Sequence, residues 1–417
     1  MPGPVVPGPV VQGTAAVLDL SGLRAADAGR VGPKMARLGQ LAADGWRVPD
    51  GYAITASALD GWLPAAARAE LERIFTGAAR DPAGTLDRPS LDLARVAGQA
   101  RALIEAQPLP SWLADAVAQA HQRLTDRLVA RERALPGTTL PGTALPGTLP
   151  AGPLVAVRSS AISEDGAGAS FAGQYETYLG VSGADSVLEH IRKCWASGYS
   201  AHALEYRRRF GGAGPLRTND LAVGVLELVD ARSAGVAFTL DPVTGDRGTL
   251  VVEGNWGFGE SVVSGHVTPD HWTVDRASGQ LLTARPSAKR TWAAFSAAAG
   301  RVVLEPPPDD LVWQPCLTEQ EVRYICGQAI RIEAAQGGVP LDVEWAVARN
   351  LPFPDSVYFL QHRPETTWTG TPPDPLTTPA PPAPPATPAQ PAEQAKPAKS
   401  FDPVQYALRN VFKVPGT

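Results

Sequence analysis

The chain has 417 residues, 44% of them hydrophobic and 19% charged, which is typical of a globular protein with two or three domains. The formal net charge of −5 gives no electrostatic reason to expect a nucleic acid or an anionic membrane as partner. The sequence has neither a basic leader with an apolar core nor an apolar run long enough to span a membrane, so we expect a cytoplasmic protein.

The three cysteines Cys194, Cys316 and Cys326 are odd in number and have no C-x-x-C spacing. This pattern suggests neither a disulfide framework nor a zinc site. We therefore predict buried free thiols.

The first candidate site follows a flexible, Pro- and Gly-rich N-terminus at residues 1–13. Lys34 is predicted to open a helix that turns Met35, Leu38 and Leu41 inward, and a strand follows near Gly51. A lysine at a helix N-terminus can hold a phosphate. The alternative is an exposed helical lysine that is only solvated.

The second candidate is a buried strand that ends near Arg158 and runs into a loop rich in glycine, serine and alanine, which includes Gly168 and Gly173. It follows a predicted helix and an LPGT repeat at residues 135–150, which we interpret as a loop insertion. Small residues let backbone N–H groups approach a ligand, and a nearby guanidinium suits a polyphosphate. An ordinary flexible turn is the alternative.

The second half of the chain alternates short strands with few helices. A helical stretch at residues 186–210 precedes the strand-like segments LAVGVLELV, AGVAFTLD, GTLVVEGN and HWTVD. The regular alternation of a doubly wound sheet is missing, so we predict an α+β fold with an antiparallel or mixed sheet.

Two late segments, LDVEWAV and YFLQHRPET, carry polar residues at every second position. If both are strands, Asp342 and Glu344 share one face and Gln361 and Arg363 share another. Four polar groups would then converge if the two strands pair. The alternative is a half-buried hairpin with a wet face.

After Trp368 the composition changes to Pro, Ala and Thr, which cannot bury a core and favours an extended conformation. We predict a semi-rigid linker at 369–400. Apolar residues return at 401–417, which we interpret as a short docking segment, with a frayed tail as the alternative.

Taken in order, these segments resemble the N-terminal nucleotide-binding domain of the phosphoenolpyruvate synthase, pyruvate phosphate dikinase and rifampicin phosphotransferase family. The resemblance rests on VAVRSSAISEDGAGASFAGQYETYLGV, CWASGYSAHALEYRRR, FTLDPVTG, NWGFGESVVSGHVTPD and LDVEW with FLQHRPET. It extends from about Val31 to Trp368. It implies an ATP-grasp-like fold with two lobes, which we place at residues 14–215 and 216–368.

The resemblance also implies ATP and Mg²⁺ as cofactors, bound in a cleft on the face of the paired strands. Phosphate charge would be neutralised and clamped by Lys34, Arg158 and Arg363, of which the two arginines are the catalytic candidates. Mg²⁺ would be held by Glu344 and Gln361, with support from Asp342. These residue types suit the chemistry, because Mg²⁺ prefers hard oxygen ligands and arginine offers a planar fork to phosphate.

The segment between the two lobes that would run past the adenine, residues 226–229, is called the hinge here and departs from the family pattern. Leu226 and Glu227 stand where the family often has glutamine, so backbone groups near Glu227 and Val229 are expected to contact the base. His202 stands where arginine is common, and PFPDS lengthens the last connection. Neither of these last two changes removes a proposed phosphate or metal ligand.

Family enzymes that complete catalysis carry a Thr-Ser-His type motif on a swivelling domain. The six histidines of this sequence lie in no such motif: His121, His190, His202, His266, His271 and His362. We therefore expect a separate subunit to carry the phosphohistidine, as in the phenylphosphate synthase type, with a small-molecule acceptor. The alternatives are a regulatory or scaffolding protein that only binds nucleotide, and an autonomous small-molecule kinase.

Overall fold

The computed structural model of the chain describes residues 16–79, 89–134, 153–162, 176–210 and 220–368, apart from residues 264 and 266. Several predictions concern other residues and lie outside these ranges. They are the N-terminus 1–13, the insertion 135–150, Gly168 and Gly173, the linker 369–400 and the tail 401–417.

The described residues combine helices with antiparallel strands, which confirms the predicted α+β class. The helices are α1 (Ala28–Ala43), α2 (Ala56–Trp62), α3 (Ala65–Ala79), α4 (Pro89–Glu105), α5 (Ser111–Ala134), α6 (Ala184–Ser197), α7 (Ala201–Phe210), α8 (Glu260–Val263) and α9 (Glu319–Ala335). Among these described segments, none is both long and apolar enough to cross a membrane.

The strands form two large sheets and a small hairpin. They are β1 (Val17–Asp19), β2 (Gly51–Ile54), β3 (Val155–Ala161), β4 (Thr177–Val181), β5 (Leu221–Glu227), β6 (Ala231–Phe238), β7 (Thr249–Trp256), β8 (Asp270–Asp275), β9 (Leu281–Arg285), β10 (Trp292–Ser296), β11 (Arg301–Glu305), β12 (Leu341–Ala348) and β13 (Val357–Pro364). The first sheet has the order β1-β2-β5-β3-β4, the second β13-β12-β6-β7-β8-β9, and β10 pairs with β11.

The chain crosses from the first sheet to the second through residues 228–230. Strand β5 pairs with β2 and β3 in the first sheet, and β6, the next strand, pairs with β7 and β12 in the second. The sequence-based boundary at residues 215 and 216 precedes β5. The sheet-to-sheet crossing therefore lies later in the chain than the predicted lobe boundary.

Each sheet has its own apolar core, and a third cluster joins them. The first core packs α2 to α6 on the first sheet around Trp62 and Trp195, whose rings stack 5.0 Å apart. The second core lies between the second sheet and α9 and includes Trp345. The joining cluster combines residues of β3 and the hinge with residues of β6, β12, β13 and the β10–β11 hairpin.

Helix α9, which backs the second sheet, begins at a capping box. The Thr318 hydroxyl accepts a hydrogen bond from the Glu321 N–H, and the Glu321 carboxylate accepts one from the Thr318 N–H at 2.8 Å. Two backbone donors at the helix start are thus satisfied.

The three cysteines are free and buried, as expected.

Candidate active site

Strands β12 and β13 bring the four alternating polar residues together. In the antiparallel register Asp342 lies directly opposite Arg363, and Glu344 lies directly opposite Gln361. Directly opposed residues have Cβ atoms about 4.5–5.5 Å apart, close enough for their side chains to act on one ligand. The convergence expected from the alternation is confirmed.

A β-bulge at Leu360 decides which face Gln361 occupies. Glu344 pairs with Gln361, but the next residue, Trp345, pairs with Phe359, so Leu360 has no partner of its own on β12. Trp345 and Phe359 lie in the second core. Because the bulge adds one residue, Gln361 shares the face of Glu344 although it is two positions from the core residue Phe359.

Asp342 is a carboxylate with unused capacity to accept hydrogen bonds. Its Oδ2 accepts from Arg363 Nε at 2.9 Å, while its buried Oδ1 has no hydrogen-bond donor among the described residues. Burial raises the pKa of Asp342 to about 6, an increase that Arg363 opposes and that Glu365 and Glu344 enhance. A cation that approached Oδ1 would stabilise the ionised form of Asp342.

Arg158 reaches from the first sheet to the second. It lies in β3, between Thr177 of β4 and Gly224 of β5, and its Nη2 donates a hydrogen bond to Gln361 Oε1 on β13. Its buried Nε has no acceptor among the described residues. The guanidinium is therefore held in the cleft between the sheets with donor capacity to spare for an anionic ligand.

Lys34 lies close to the Arg158 strand because α1 is kinked at Gly32. Gly32 has φ 76° and ψ 155°, and a Cβ there would lie 2.3 Å from Ser160 Oγ. Only glycine permits this approach. The regular helix restarts at Pro33, so Lys34 lies in its first turn, and the Met35 N–H donates to Ser160 Oγ at 3.4 Å.

The helix face predicted for Met35, Leu38 and Leu41 is buried, as expected. Lys34 itself is partly exposed, in contrast to these neighbours. The residues on which this packing depends, Gly32 and Ser160, were not singled out from the sequence. The Gly-Pro pair before Lys34 was the available signal, since Pro favours the first position of a helix.

The hinge residue Glu227 has a structural contact that the sequence did not reveal. Its carboxylate accepts from Arg131 Nη1 at 3.0 Å and from the Asp50 N–H at 3.2 Å. Val229 is buried in the cluster that joins the two sheets. The Glu227 side chain therefore fastens α5 to the first sheet, and its N–H donates to the Asp50 carbonyl at 2.7 Å.

The donor set on β12 and β13 fits a hard divalent cation. Asp342 Oδ1, the Glu344 carboxylate and Gln361 Oε1 are oxygen atoms on one face, and an amide oxygen can accept from Arg158 and still offer a second lone pair. Within the described part of the chain, no group of three or more His, Cys, Asp and Glu residues could hold a metal. In Mg²⁺ sites, one or two carboxylates are commonly completed by substrate phosphates.

A comparison with known protein families identifies the domain. The family described as "Pyruvate phosphate dikinase, AMP/ATP-binding domain" matches residues 28–380, which include both sheets and every described polar residue of the cleft. The chain belongs to this family. The pyruvate phosphate dikinase AMP/ATP-binding domain here thus includes α1, the hinge and the β12–β13 pair.

Curated relatives of this dikinase domain include enzymes named for different small molecules. The chain is 33% identical over 358 residues to a probable phosphoenolpyruvate synthase of Staphylothermus marinus, with 81% of this chain and 40% of the relative covered. It is 35% identical over 354 residues to a rifampicin phosphotransferase of Streptomyces sp., with 84% and 36% covered. It is 33% identical over 351 residues to the prodigiosin synthesizing transferase PigC of Serratia marcescens, with 84% and 33% covered.

The chain therefore spans about two fifths or less of the length of these three relatives. The matched region contains the residues of the nucleotide cleft. Activities and acceptors that belong to a whole relative are not established for this chain by the match.

Proposed function

We propose that this chain is the ATP-binding unit of a dikinase-type phosphotransferase. The observation that supports this most directly is the hydrogen bond from Arg158 on the first sheet to Gln361 on the second. It brings a guanidinium, an amide oxygen and the Asp342, Glu344 and Arg363 side chains into one cleft between two lobes. Convergent positive charge and oxygen ligands suit ATP with Mg²⁺.

Each side chain has a distinct role in this proposal. Arg158 and Arg363 neutralise and orient the phosphates, and Lys34 adds positive charge from the start of the helix. Mg²⁺ would be held by Glu344 and Gln361, with Asp342 in support. When bound, the metal would offset the negative charge that accumulates on the transferring phosphoryl groups.

We further propose that the phosphoryl acceptor is a histidine on a partner subunit, which passes phosphate to a small acceptor such as a phenol, pyruvate or a hydroxylated natural product. AMP and phosphate would be released. Of the two outer phosphoryl groups of ATP, one would therefore go to the histidine and the other to water. The different small molecules named in the relatives support an acceptor site outside the nucleotide domain. The linker 369–400 and the docking segment 401–417 remain predictions for how that partner is held.

Substitution of Arg158 by alanine tests the nucleotide site. Arg158→Ala should weaken binding of ATP in the presence of Mg²⁺ by about 2 to 5 kcal/mol, because phosphate charge in a partly desolvated cleft loses its counter-charge. Isothermal titration calorimetry on the full chain measures this. Arg323→Ala is the matched control, since Arg323 is exposed on α9 and pairs with Glu319 at 2.6 Å.

The proposal would be contradicted if Arg158→Ala bound ATP as tightly as the parent. A separate measurement tests the histidine step. The chain alone should consume ATP slowly, and addition of a phosphohistidine-domain protein should produce AMP. Production of ADP without any added protein would favour an autonomous kinase instead.

A further inference from the structure

A cavity of about 420 Å³ lies away from the nucleotide cleft, on the α9 side of the second sheet. The residues that matter for its chemistry are Trp46, Arg47, Tyr324, Gln328, Arg331 and Phe359. Phe359 packs with Trp345 in the second core, whereas Gln361 faces the nucleotide cleft. The bulge at Leu360 thus separates the two sites along β13.

The walls of this cavity are held by contacts within each lobe and by one backbone hydrogen bond between the lobes. The Trp46 N–H donates to the Leu41 carbonyl at 3.0 Å, which continues the end of α1 into the cavity loop. The Arg47 carbonyl accepts from the Phe359 N–H at 2.8 Å, so this loop is attached to the edge of β13. Tyr324 packs edge-on against Phe353, with ring centroids 5.3 Å apart.

A guanidinium packs on an aromatic ring in the wall of the cavity. The Arg331 guanidinium lies 5.9 Å from the centroid of the Trp46 ring, and Arg331 Nη1 donates to Gln328 Oε1 at 3.2 Å. The Arg47 guanidinium lies 4.9 Å from the centroid of the Tyr358 ring, which belongs to the cluster that joins the two sheets and not to the cavity wall. Such surfaces favour a flat ligand that stacks on aromatic groups and accepts hydrogen bonds from arginine.

Two carboxylates, Asp44 and Asp355, also line the cavity and leave these arginines only partly neutralised. Asp44 accepts a hydrogen bond from Gln40 Nε2 at 2.9 Å, and Asp355, whose side chain is 69% exposed, lies 3.7 Å from Arg47 Nη1. The buried donors Trp46 Nε1 and Arg47 Nε have no acceptor within the described residues. The cavity wall is therefore short of hydrogen-bond acceptors, which an anionic ligand would supply.

We propose that this cavity binds a planar aromatic carboxylate. Its ring would lie against Trp46 and Tyr324, and its carboxylate would pair with the Arg331 guanidinium. The volume is within the usual range for small-molecule sites, and the polar groups converge from three elements. The proposal does not depend on the nucleotide-binding function.

Titration of the full chain with benzoate and 4-hydroxybenzoate tests this site. Calorimetry or saturation-transfer NMR should show saturable binding, and the uncharged analogue benzamide should bind at least tenfold more weakly. Arg331→Gln should weaken benzoate binding at least tenfold, because it removes the cation but keeps a hydrogen-bonding side chain. Arg323→Gln, two turns earlier on α9 and outside the cavity, should leave benzoate binding unchanged.

Three outcomes would overturn the proposal: no saturable binding of either carboxylate, equal binding of benzamide, or unchanged benzoate binding in Arg331→Gln. Circular dichroism of each variant confirms that it is folded. ATP titrations of the parent and of the same variants keep the two sites distinct. If the parent did not bind ATP, the proposed function would be contradicted, but the benzoate result would still stand.

Discussion

Two ion pairs in the second lobe differ in how completely their polar atoms are hydrogen-bonded. Asp270 and Lys289 are both fully buried, with Lys289 Nζ 2.6 Å from Asp270 Oδ1. Asp270 also accepts hydrogen bonds from the N–H groups of Ser287 and Cys316, each at 2.8 Å. Lys289 Nζ donates in addition to the Ser287 carbonyl at 3.1 Å.

The Asp342–Arg363 ion pair in the nucleotide cleft is less completely hydrogen-bonded. Asp342 and Arg363 are joined at 2.9 Å, with side chains 13% and 28% exposed, and Asp342 Oδ1 has no donor among the described residues. A buried carboxylate with an unused oxygen destabilises the ligand-free protein. The comparison indicates that the Asp270 pair serves the scaffold, whereas the Asp342 pair retains binding capacity for a ligand.

The largest expected effect comes from breaking the Asp270 pair. Lys289→Met should lower the free energy of unfolding by about 3 to 5 kcal/mol, because it leaves the Asp270 charge buried without its counter-ion. Urea denaturation followed by circular dichroism measures this. Arg363→Met is the matched variant and should destabilise much less, since its pair is partly exposed. Equal losses for both variants would remove the distinction.

A smaller effect of opposite sign is expected at Asp342. The pKa of this carboxyl in the folded state is about 6, above the ordinary value of 3.8, so the native state binds a proton more readily than the unfolded chain. Stability therefore falls as the pH rises from about 4 to 6. Asp342→Asn removes this penalty and should stabilise the ligand-free chain at pH 7 by about 1 to 3 kcal/mol.

The pH dependence separates this explanation from a general packing effect. The advantage of Asp342→Asn should be absent below about pH 4, grow up to about pH 6 and remain constant above that. Binding of ATP with Mg²⁺ should weaken in the same variant. An advantage that stayed the same at every pH, or a variant less stable than the parent at pH 7, would contradict the assignment of Asp342.

The smallest expected effect is at Glu344, which supplies charge next to the incomplete pair. Glu344→Gln keeps the shape of the side chain but removes an anionic ligand that Mg²⁺ prefers. The Mg²⁺ concentration at half-maximal nucleotide binding should rise about tenfold, equivalent to about 1.4 kcal/mol. Titrating Mg²⁺ at fixed ATP gives this value, and an unchanged midpoint would place the metal elsewhere.

The positions of the main cleft residues could be predicted because their signals are local. Alternation along β12 assigned Asp342 and Glu344 to one face, and their partners on β13 lie in the predicted pairing. The helix at Lys34 followed from the helical period of Met35, Leu38 and Leu41, all of which are buried. Side chains that depend on long-range contacts were less predictable, and Glu227 is the example, since its partner Arg131 lies 96 residues away.

By itself the sequence determined several of the helices and strands, the α+β class and the motifs that match the pyruvate phosphate dikinase AMP/ATP-binding domain, because hydrophobic period and turn chemistry act within a few residues. Tertiary structure alone decided three features. It placed the bulge at Leu360 that turns Gln361 toward the cleft, the contact of Arg158 with Gln361 across 203 residues, and the unused oxygen of Asp342. Each depends on how distant strands pack against one another, and no local pattern encodes that packing.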